Sequence, residues 1–176
     1  MLFLLFELDG ERYAIDAREI AHVLPLAPVR AFAGTPAYIA GVIDYEGAPV
    51  PVVDLPMLAL GRPARALMST RLVLVYDLGD QGEEGRHDAK APPAPPRRLA
   101  LLLECATRTQ SIAPERFAES GIATPEARWL GPVARDERGF VQWVKVAQLL
   151  DSRVRALLFP EPPSWQVPPE RAGGER

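Results

Sequence analysis

The stretch "GVIDYEGAPVPVVDL", residues 41–55, is the most informative part of this sequence. Two runs rich in β-branched residues flank a short polar turn, which predicts a β-hairpin with strands at residues 39–45 and 50–54. The second arm of the hairpin carries Pro49 and Pro51, which have no backbone N–H to donate to a neighbouring strand. Because both missing donors point to one side, we predict that this strand lies at an exposed sheet edge, where prolines discourage unwanted pairing. The alternative is that the prolines only stiffen a loop.

Short strands bounded by turn residues recur along the chain, at residues 2–8, 12–15, 71–77 and 98–105. The first two flank a turn at Asp9-Gly10, where glycine accepts positive φ, and this hairpin is predicted to open the first lobe. Residues 16–20 fit either one capped helical turn or a short extended piece. Residues 55–61 predict a short helix with proline in its first turn and glycine after it.

Two segments lack any pattern that could bury a face. Residues 78–98 are dominated by glycine, charged residues and proline, which predicts a flexible inserted loop; a proline-rich partner-binding segment is the alternative. Residues 159–176 predict a proline-rich C-terminal tail in which Trp165 is the one residue suited to dock. The predicted organisation is therefore one domain of two lobes over residues 1–158, followed by this tail.

A weak internal repeat relates two hairpins. Residues 38–60 resemble residues 129–150 in the order aromatic residue, glycine, strand, turn ending in glycine, strand and leucine-bearing helical turn. The second copy is aligned with a turn two residues longer and a register shifted by about one, so chance similarity of two hairpins is the alternative. A structural repeat would predict two like β-lobes, each ending in a strand-to-helix segment.

Composition excludes several classes of function. A net charge of −3 and a pI near 5.5, without a basic patch, argue against nucleic-acid binding. Cys105 has no second cysteine, and with only His22 and His87 the chain lacks the usual spacing of a zinc site, so no metal or cofactor is predicted. The apolar start has no basic segment and is too short to cross a bilayer. We therefore predict a cytoplasmic protein without direct membrane insertion.

No catalytic constellation emerges from the sequence. His22 lies in an apolar stretch without a serine or cysteine neighbour, which is more typical of a packed histidine than of a base. Four aspartates fall at strand ends and turns, where the side chain accepts backbone hydrogen bonds: Asp9, Asp16, Asp44 and Asp54. The glycines lack the spacing of a phosphate-binding loop. The chain is therefore predicted not to be an enzyme.

The residues resemble CheW-like domains, the family of the chemotaxis coupling protein CheW. The resemblance is carried by "FELDGERYAIDAREIAHVLPL" at residues 6–26 and "GTPAYIAGVIDYEGAPVPVVDL" at residues 34–55, including the Pro-x-x-Asp-Leu ending. It is dense over residues 3–60 and weaker over residues 72–150. There "LALLLEC" replaces a glycine-rich strand with a central Val-Asp, and Glu104 is the residue that could substitute for the acid.

This resemblance implies a mainly β fold: two small five-stranded, SH3-like β-barrel subdomains around a shared hydrophobic core, with short helices. Residues 1–158 would then form a single CheW-like domain. It also implies a non-catalytic adaptor with two partners, the cytoplasmic domain of a methyl-accepting chemoreceptor and the regulatory domain of a CheA-type histidine kinase. The runner-up hypothesis is a small-molecule sensor that holds a ligand between its lobes.

The same resemblance places candidate partner-binding residues near the opening hairpin: Ile20, His22, Val42, Ile43, Tyr45, Glu46 and Gly47. Three of them, Ile20, Val42 and Ile43, are the predicted apolar contacts of a receptor helix docked between the lobes. His22 and Glu46 stand where the family pattern has an acid and an arginine. We predict that they face each other as an ion pair of reversed polarity that favours a cognate partner; independent drift is the alternative.

Overall fold

The structure, a computed structural model, describes residues 1–77, 97–121 and 124–160. Its strands are β1 (Leu2–Leu8), β2 (Glu11–Asp16), β3 (Ile20–Pro25), β4 (Ile39–Tyr45), β5 (Ala48–Asp54), β6 (Arg71–Asp77), β7 (Arg97–Leu103), β8 (Arg108–Ser111), β9 (Leu130–Asp136) and β10 (Gly139–Val144). Its helices are α1 (Leu55–Leu60) and α2 (Ser152–Leu158), with short 3₁₀ turns between other elements. The predicted insertion lies outside the described residues, except that Arg97 and Arg98 begin β7; of the predicted tail, only Phe159 and Pro160 are described.

The strands form two five-stranded sheets. The first sheet has the order β8-β1-β2-β10-β9, and the second sheet has the order β3-β6-β7-β5-β4. The β1–β2 hairpin therefore joins strands from the C-terminal part of the chain, with β2 parallel to β10. The β1–β2 hairpin and the β4–β5 hairpin thus lie in different sheets. Local patterns specify a hairpin but not the strand beside which it packs.

The predicted turns form as their residues require. Asp9-Gly10 and Glu46-Gly47 all have positive φ, between 48° and 87°, as two-residue hairpin turns need. Residues 16–20 combine both predicted alternatives: the Asp16 side chain accepts a hydrogen bond from the Arg18 backbone N–H at 2.9 Å, capping a single 3₁₀ turn, and β3 follows at once.

The internal repeat corresponds to a structural equivalence. The Asp54 backbone N–H donates to the Tyr38 carbonyl and the Lys145 N–H donates to the Trp129 carbonyl, both at 2.8 Å. The same number of residues separates each pair, so the predicted longer turn and shifted register are wrong. Each hairpin also lies parallel to a strand of another hairpin, β5 beside β7 and β10 beside β2. The two sheets are thus built on one plan from different parts of the chain.

The edge position predicted for Pro49 and Pro51 is wrong, because β5 lies between β7 and β4. Both prolines pair with β4, opposite Asp44 and Val42, while the described pairing of β5 with β7 begins only at Val52. The prolines therefore occupy the part of β5 that precedes this pairing, where a missing N–H costs no interstrand hydrogen bond. An interior strand can contain proline if the proline residues lie outside its doubly paired part.

The hydrophobic side chains form three buried clusters. One lies between the two sheets and includes Phe6 and Leu8 of β1 together with Val73 and Leu101 of the second sheet. The other two lie within the individual sheets, one around Leu72 and Leu74 and the other around Phe3 and Val141. Each sheet therefore curls around a small core of its own and shares a third with the other. In the described chain the edge strands of a sheet are not paired with each other, so each barrel stays open.

A polar cluster also joins the sheets. Glu104, 3% exposed, accepts hydrogen bonds from Arg62 Nη1 and from the Arg65 backbone N–H, each at 2.7 Å. Arg62 reaches Asp9 in the β1–β2 turn as well. The Arg62 hydrogen bond is the main reason why the pKa of Glu104 is lowered. Through Arg62, Glu104 thus ties the second sheet to the first. Among the described helices, none combines the length and apolar character needed to cross a membrane.

Candidate functional site

The candidate residues at the end of the second sheet gather around Tyr45. The Tyr45 ring centroid lies 5.6 Å from that of His22, although β3 and β4 are the two opposite edges of the sheet. The guanidinium of Arg98 lies 5.5 Å from the Tyr45 ring centroid, within cation–π range. We call this group, His22, Tyr45, Glu46, Gly47 and Arg98, the turn surface. It exists because the sheet curls until side chains of its two edge strands approach each other.

Glu46 forms its ion pair with Arg98 and not with His22. The Glu46 Oε2 lies 3.7 Å from Arg98 Nη1, and the Glu46 side chain is 70% exposed. The predicted pair with His22 is wrong: no ion pair joins these two described residues, and the His22 ring contacts Tyr45 instead. An exposed pair of this kind contributes little to stability, so its charges remain available to a partner.

Arg98 was missed as a site residue because it stands at the boundary between the predicted insertion (residues 78–98) and the predicted strand (residues 98–105). The internal repeat contains a pattern from which Arg98 could have been identified. In the parallel pairings Ala100 lies opposite Val52 and Ala14 lies opposite Trp143, and an arginine, Arg98 or Arg12, stands two residues before each alanine. Both arginines bind an acid at the end of the adjacent hairpin.

The equivalent pair in the first sheet is tighter. Arg12 Nη1 donates to Asp136 Oδ2 at 3.0 Å, and a second Arg12 nitrogen binds the other carboxylate oxygen. The Arg12 hydrogen bond is the main cause that holds the pKa of Asp136 well below its ordinary value. In the second sheet Tyr45 stands at the position equivalent to Asp136, so Arg98 stacks on a ring there and its charge is less fully neutralised.

The apolar candidates do not form one strip. Ile43 is 6% exposed and packs in the core of the second sheet, so it has almost no surface for a partner. Ile20 is half-buried against the cluster between the sheets. Val42 is half-buried, and its backbone exchanges hydrogen bonds of 2.8 and 2.9 Å with Arg30. Ile20 and Val42 therefore keep exposed atoms, whereas Ile43 serves packing.

A separate groove of about 460 Å³ lies between the lobes, and we call it the interlobe groove. It is lined by Tyr38, Leu58, Pro125, Glu126, Arg128, Trp129, Gln148, Leu149, Leu150, Asp151 and Ser152. Tyr38 and Trp129 are the equivalent aromatic residues of the repeat, so the groove lies where the two copies meet. The seven candidate residues from the sequence are not among its lining residues. Among the described residues, no cluster of His, Cys, Asp and Glu is arranged to hold a metal ion.

Glu19, next to Ile20, has an unusual carboxyl group. Its Oε2 is buried and has no hydrogen-bond partner. Burial, and then the negative charge of Asp16, raises the pKa of Glu19 from 4.5 to about 7. The folded protein therefore holds a proton that the unfolded chain releases between these two values, and the free energy of unfolding falls as pH rises through this window.

We expect Glu19→Gln to remove this dependence and to raise the free energy of unfolding at about pH 8 by about 2 kcal/mol, with partial solvent access taken into account. Urea unfolding of both proteins at about pH 4 and about pH 8 measures the effect. Glu11→Gln, at an exposed position, is the control and should leave the difference between the two pH values as it is in the unmodified protein. An equal pH response of Glu19→Gln and the unmodified protein would refute the assignment.

Comparison with known proteins agrees with this architecture. The family model of the CheW-like domain matches residues 2–154. The chain belongs to the CheW-like domain family. A relative, chemotaxis protein CheW of Klebsiella aerogenes, is 38% identical over 53 residues, which is 30% of this chain and 32% of the relative. The aligned part thus spans about a third of that relative's length.

Among solved structures, the scaffolding protein TtCheW from Thermoanaerobacter tengcongensis has a TM-score of 0.69 and 17% sequence identity. The match covers 87% of this chain and 89% of that chain. This likeness shows the fold, and it confirms the predicted mainly β, SH3-like architecture of two subdomains. The one refinement is that the CheW-like sheets of this chain curl without closing.

Proposed function

We propose that this chain is a non-catalytic adaptor that couples the cytoplasmic domain of a methyl-accepting chemoreceptor to a CheA-type histidine kinase. The observation that carries the proposal is the family match over residues 2–154, both lobes included. The names of the relatives, a chemotaxis protein and a scaffolding protein, point the same way. An adaptor of this kind works in the cytoplasm, recruited to receptor arrays.

We assign partner contact to the turn surface together with the exposed atoms of Ile20 and Val42. Tyrosine and arginine are enriched among the residues that dominate binding energy at interfaces, and Tyr45 and Arg98 are in contact here. Glu46 presents a carboxylate where the family pattern has arginine, beside a cation that is not fully neutralised. The preference for a cognate partner remains a prediction, now with Arg98 rather than His22 as the balancing charge.

Tyr45→Ala is expected to weaken binding to the cognate kinase regulatory domain or receptor tip by about tenfold, or about 1.4 kcal/mol. Tyr45 is half-buried and lies outside the fully buried core, so the fold should survive the loss of its ring. Titration calorimetry with each purified partner measures the change. The matched control is Phe140→Ala, which removes the exposed aromatic ring stacked on Arg135 in the first sheet. Equal weakening by both variants would move the contact away from the turn surface.

The small-molecule sensor is kept as a second candidate because the interlobe groove lies where such a ligand would bind. Capture of a kinase regulatory domain and of a receptor tip, set beside thermal shift against a metabolite panel, separates the two functions. We expect capture of both proteins without a ligand-dependent rise in melting temperature. A metabolite that raises the melting temperature, with no capture of kinase or receptor, would overturn the adaptor proposal.

A further inference from the structure

The interlobe groove has aromatic walls, and its charged lining residues are Glu126, Arg128 and Asp151. Tyr38 and Leu58 line it from the side of the second sheet, and Trp129 and Pro125 line it from the other side. Burial, and then the negative charge of Asp151, raises the pKa of the Tyr38 phenol. Asp151 also lines the groove, so a carboxylate is available there. Such a groove suits a ligand with a flat apolar body and an N–H donor at its rim.

The chain itself returns to this groove. Ser152 lines the groove and begins α2, whose seven residues span about 10 Å. Phe159, just beyond α2, is held below the guanidinium of Arg97 at 5.5 Å and packs on the cluster between the sheets. These contacts fix the position of the chain at Phe159, next to Pro160.

Trp165 follows only five residues after Pro160, and five residues reach about 17 Å when extended. This reach exceeds the length of α2, so Trp165 can lie beside the groove residues at the start of that helix. We propose that the interlobe groove binds this chain's own C-terminal segment, residues 161–176, with Trp165 as its anchor.

The composition of the segment fits the groove. Trp165 supplies a flat apolar ring and one N–H donor, which matches the aromatic walls and the Asp151 carboxylate. Pro162, Pro163 and Pro168 flank it, and proline-rich peptides bind aromatic-lined grooves at a low cost in conformational entropy. The inference does not depend on the adaptor function.

Fluorine NMR of the full chain labelled with 5-fluorotryptophan tests this proposal. Its three signals come from Trp129, Trp143 and Trp165, and Trp165→Phe assigns the last. We expect the Trp165 signal to differ from that of free fluorotryptophan. It should move to the free value in Leu58→Glu, which changes a groove wall, and should stay in place in Leu60→Glu, an exposed residue of the same helix outside the groove lining.

Acrylamide quenching gives a second measurement that needs no groove variant. The part of the fluorescence lost in Trp165→Phe should be quenched several-fold less than that of free tryptophan. Quenching equal to free tryptophan would overturn the proposal even if Leu58→Glu failed to fold. A Trp165 signal that changes with protein concentration would also overturn it, because the groove would then hold the segment of a second copy.

Discussion

Gly41→Ala is expected to lower the free energy of unfolding by about 4 kcal/mol, the sum of a backbone strain and an overpacking cost. Gly41 has a φ of +141°, and an added Cβ would lie 2.0 Å from the Arg30 carbonyl oxygen and 2.9 Å from the Ala31 Cα. The neighbouring backbone cannot withdraw cheaply, because Arg30 exchanges two hydrogen bonds with Val42. This contact joins the chain after β3 to β4, where the curled edges of the second sheet approach each other.

The control is Gly47→Ala in the same hairpin. Gly47 also has a positive φ, +79°, but an added Cβ would meet no atom within 4 Å, so only a strain of about 1 kcal/mol is expected. Urea unfolding of both variants measures the difference. Similar losses of unfolding free energy in the two variants would mean that the backbone at Arg30 shifts at little cost and does not hold the sheet edges together.

The sequence was sufficient for the local elements. The hairpin turns at Asp9-Gly10 and Glu46-Gly47 follow from residues that tolerate positive φ, and α1 follows from Pro56 and from Gly61, whose φ is +70°. These signals depend only on neighbouring residues, so one sequence contains them in full. The family resemblance then supplied the number of strands and the two-lobed arrangement.

Long-range pairing could not be predicted in the same way. β8, with the polar sequence "RTQS", has no apolar alternation and is a strand because it pairs with β1. The position of the β1–β2 hairpin beside β10 also depends on contacts between residues far apart in the chain. Strand propensity is set largely by such neighbours, which explains both the missed strand and the unpredicted pairing of the first hairpin with β10.

In the candidate site, too, the local turn could be predicted from the sequence and the long-range contacts could not. Tyr45, Glu46 and Gly47 were found because they form a turn with a recognisable pattern. Arg98 was missed because a charged residue at the start of a predicted strand carries no local signal that places it beside the Glu46 turn. The His22 partner was assigned wrongly, since two residues in different strands can be matched to a family pattern without any information on the distance between them.

Asp54→Ala is expected to lower the free energy of unfolding by about 3 kcal/mol, because two partly buried backbone N–H groups lose their acceptor. Asp54 is 6% exposed, caps α1 by accepting from the Met57 N–H at 2.9 Å, and also accepts from the Ala64 N–H at 2.9 Å. One carboxylate therefore fixes both the start of α1 and the chain that leaves it. This is the physical role of the aspartate in the Pro-x-x-Asp-Leu ending.

The control is Asp151→Ala, at the N-cap of α2. Within the described residues its exposed carboxylate accepts from one backbone N–H, that of Val154 at 2.7 Å, and a loss of about 1 kcal/mol is expected. The loss of unfolding free energy in Asp54→Asn should lie between those of the two alanine variants, because the amide keeps one oxygen acceptor and loses the other. Thermal and urea unfolding of the three variants give the order. If Asp54→Ala cost no more than Asp151→Ala, the bond to Ala64 would contribute nothing, and Asp54 would be an ordinary helix cap rather than the residue that fixes the exit from β5.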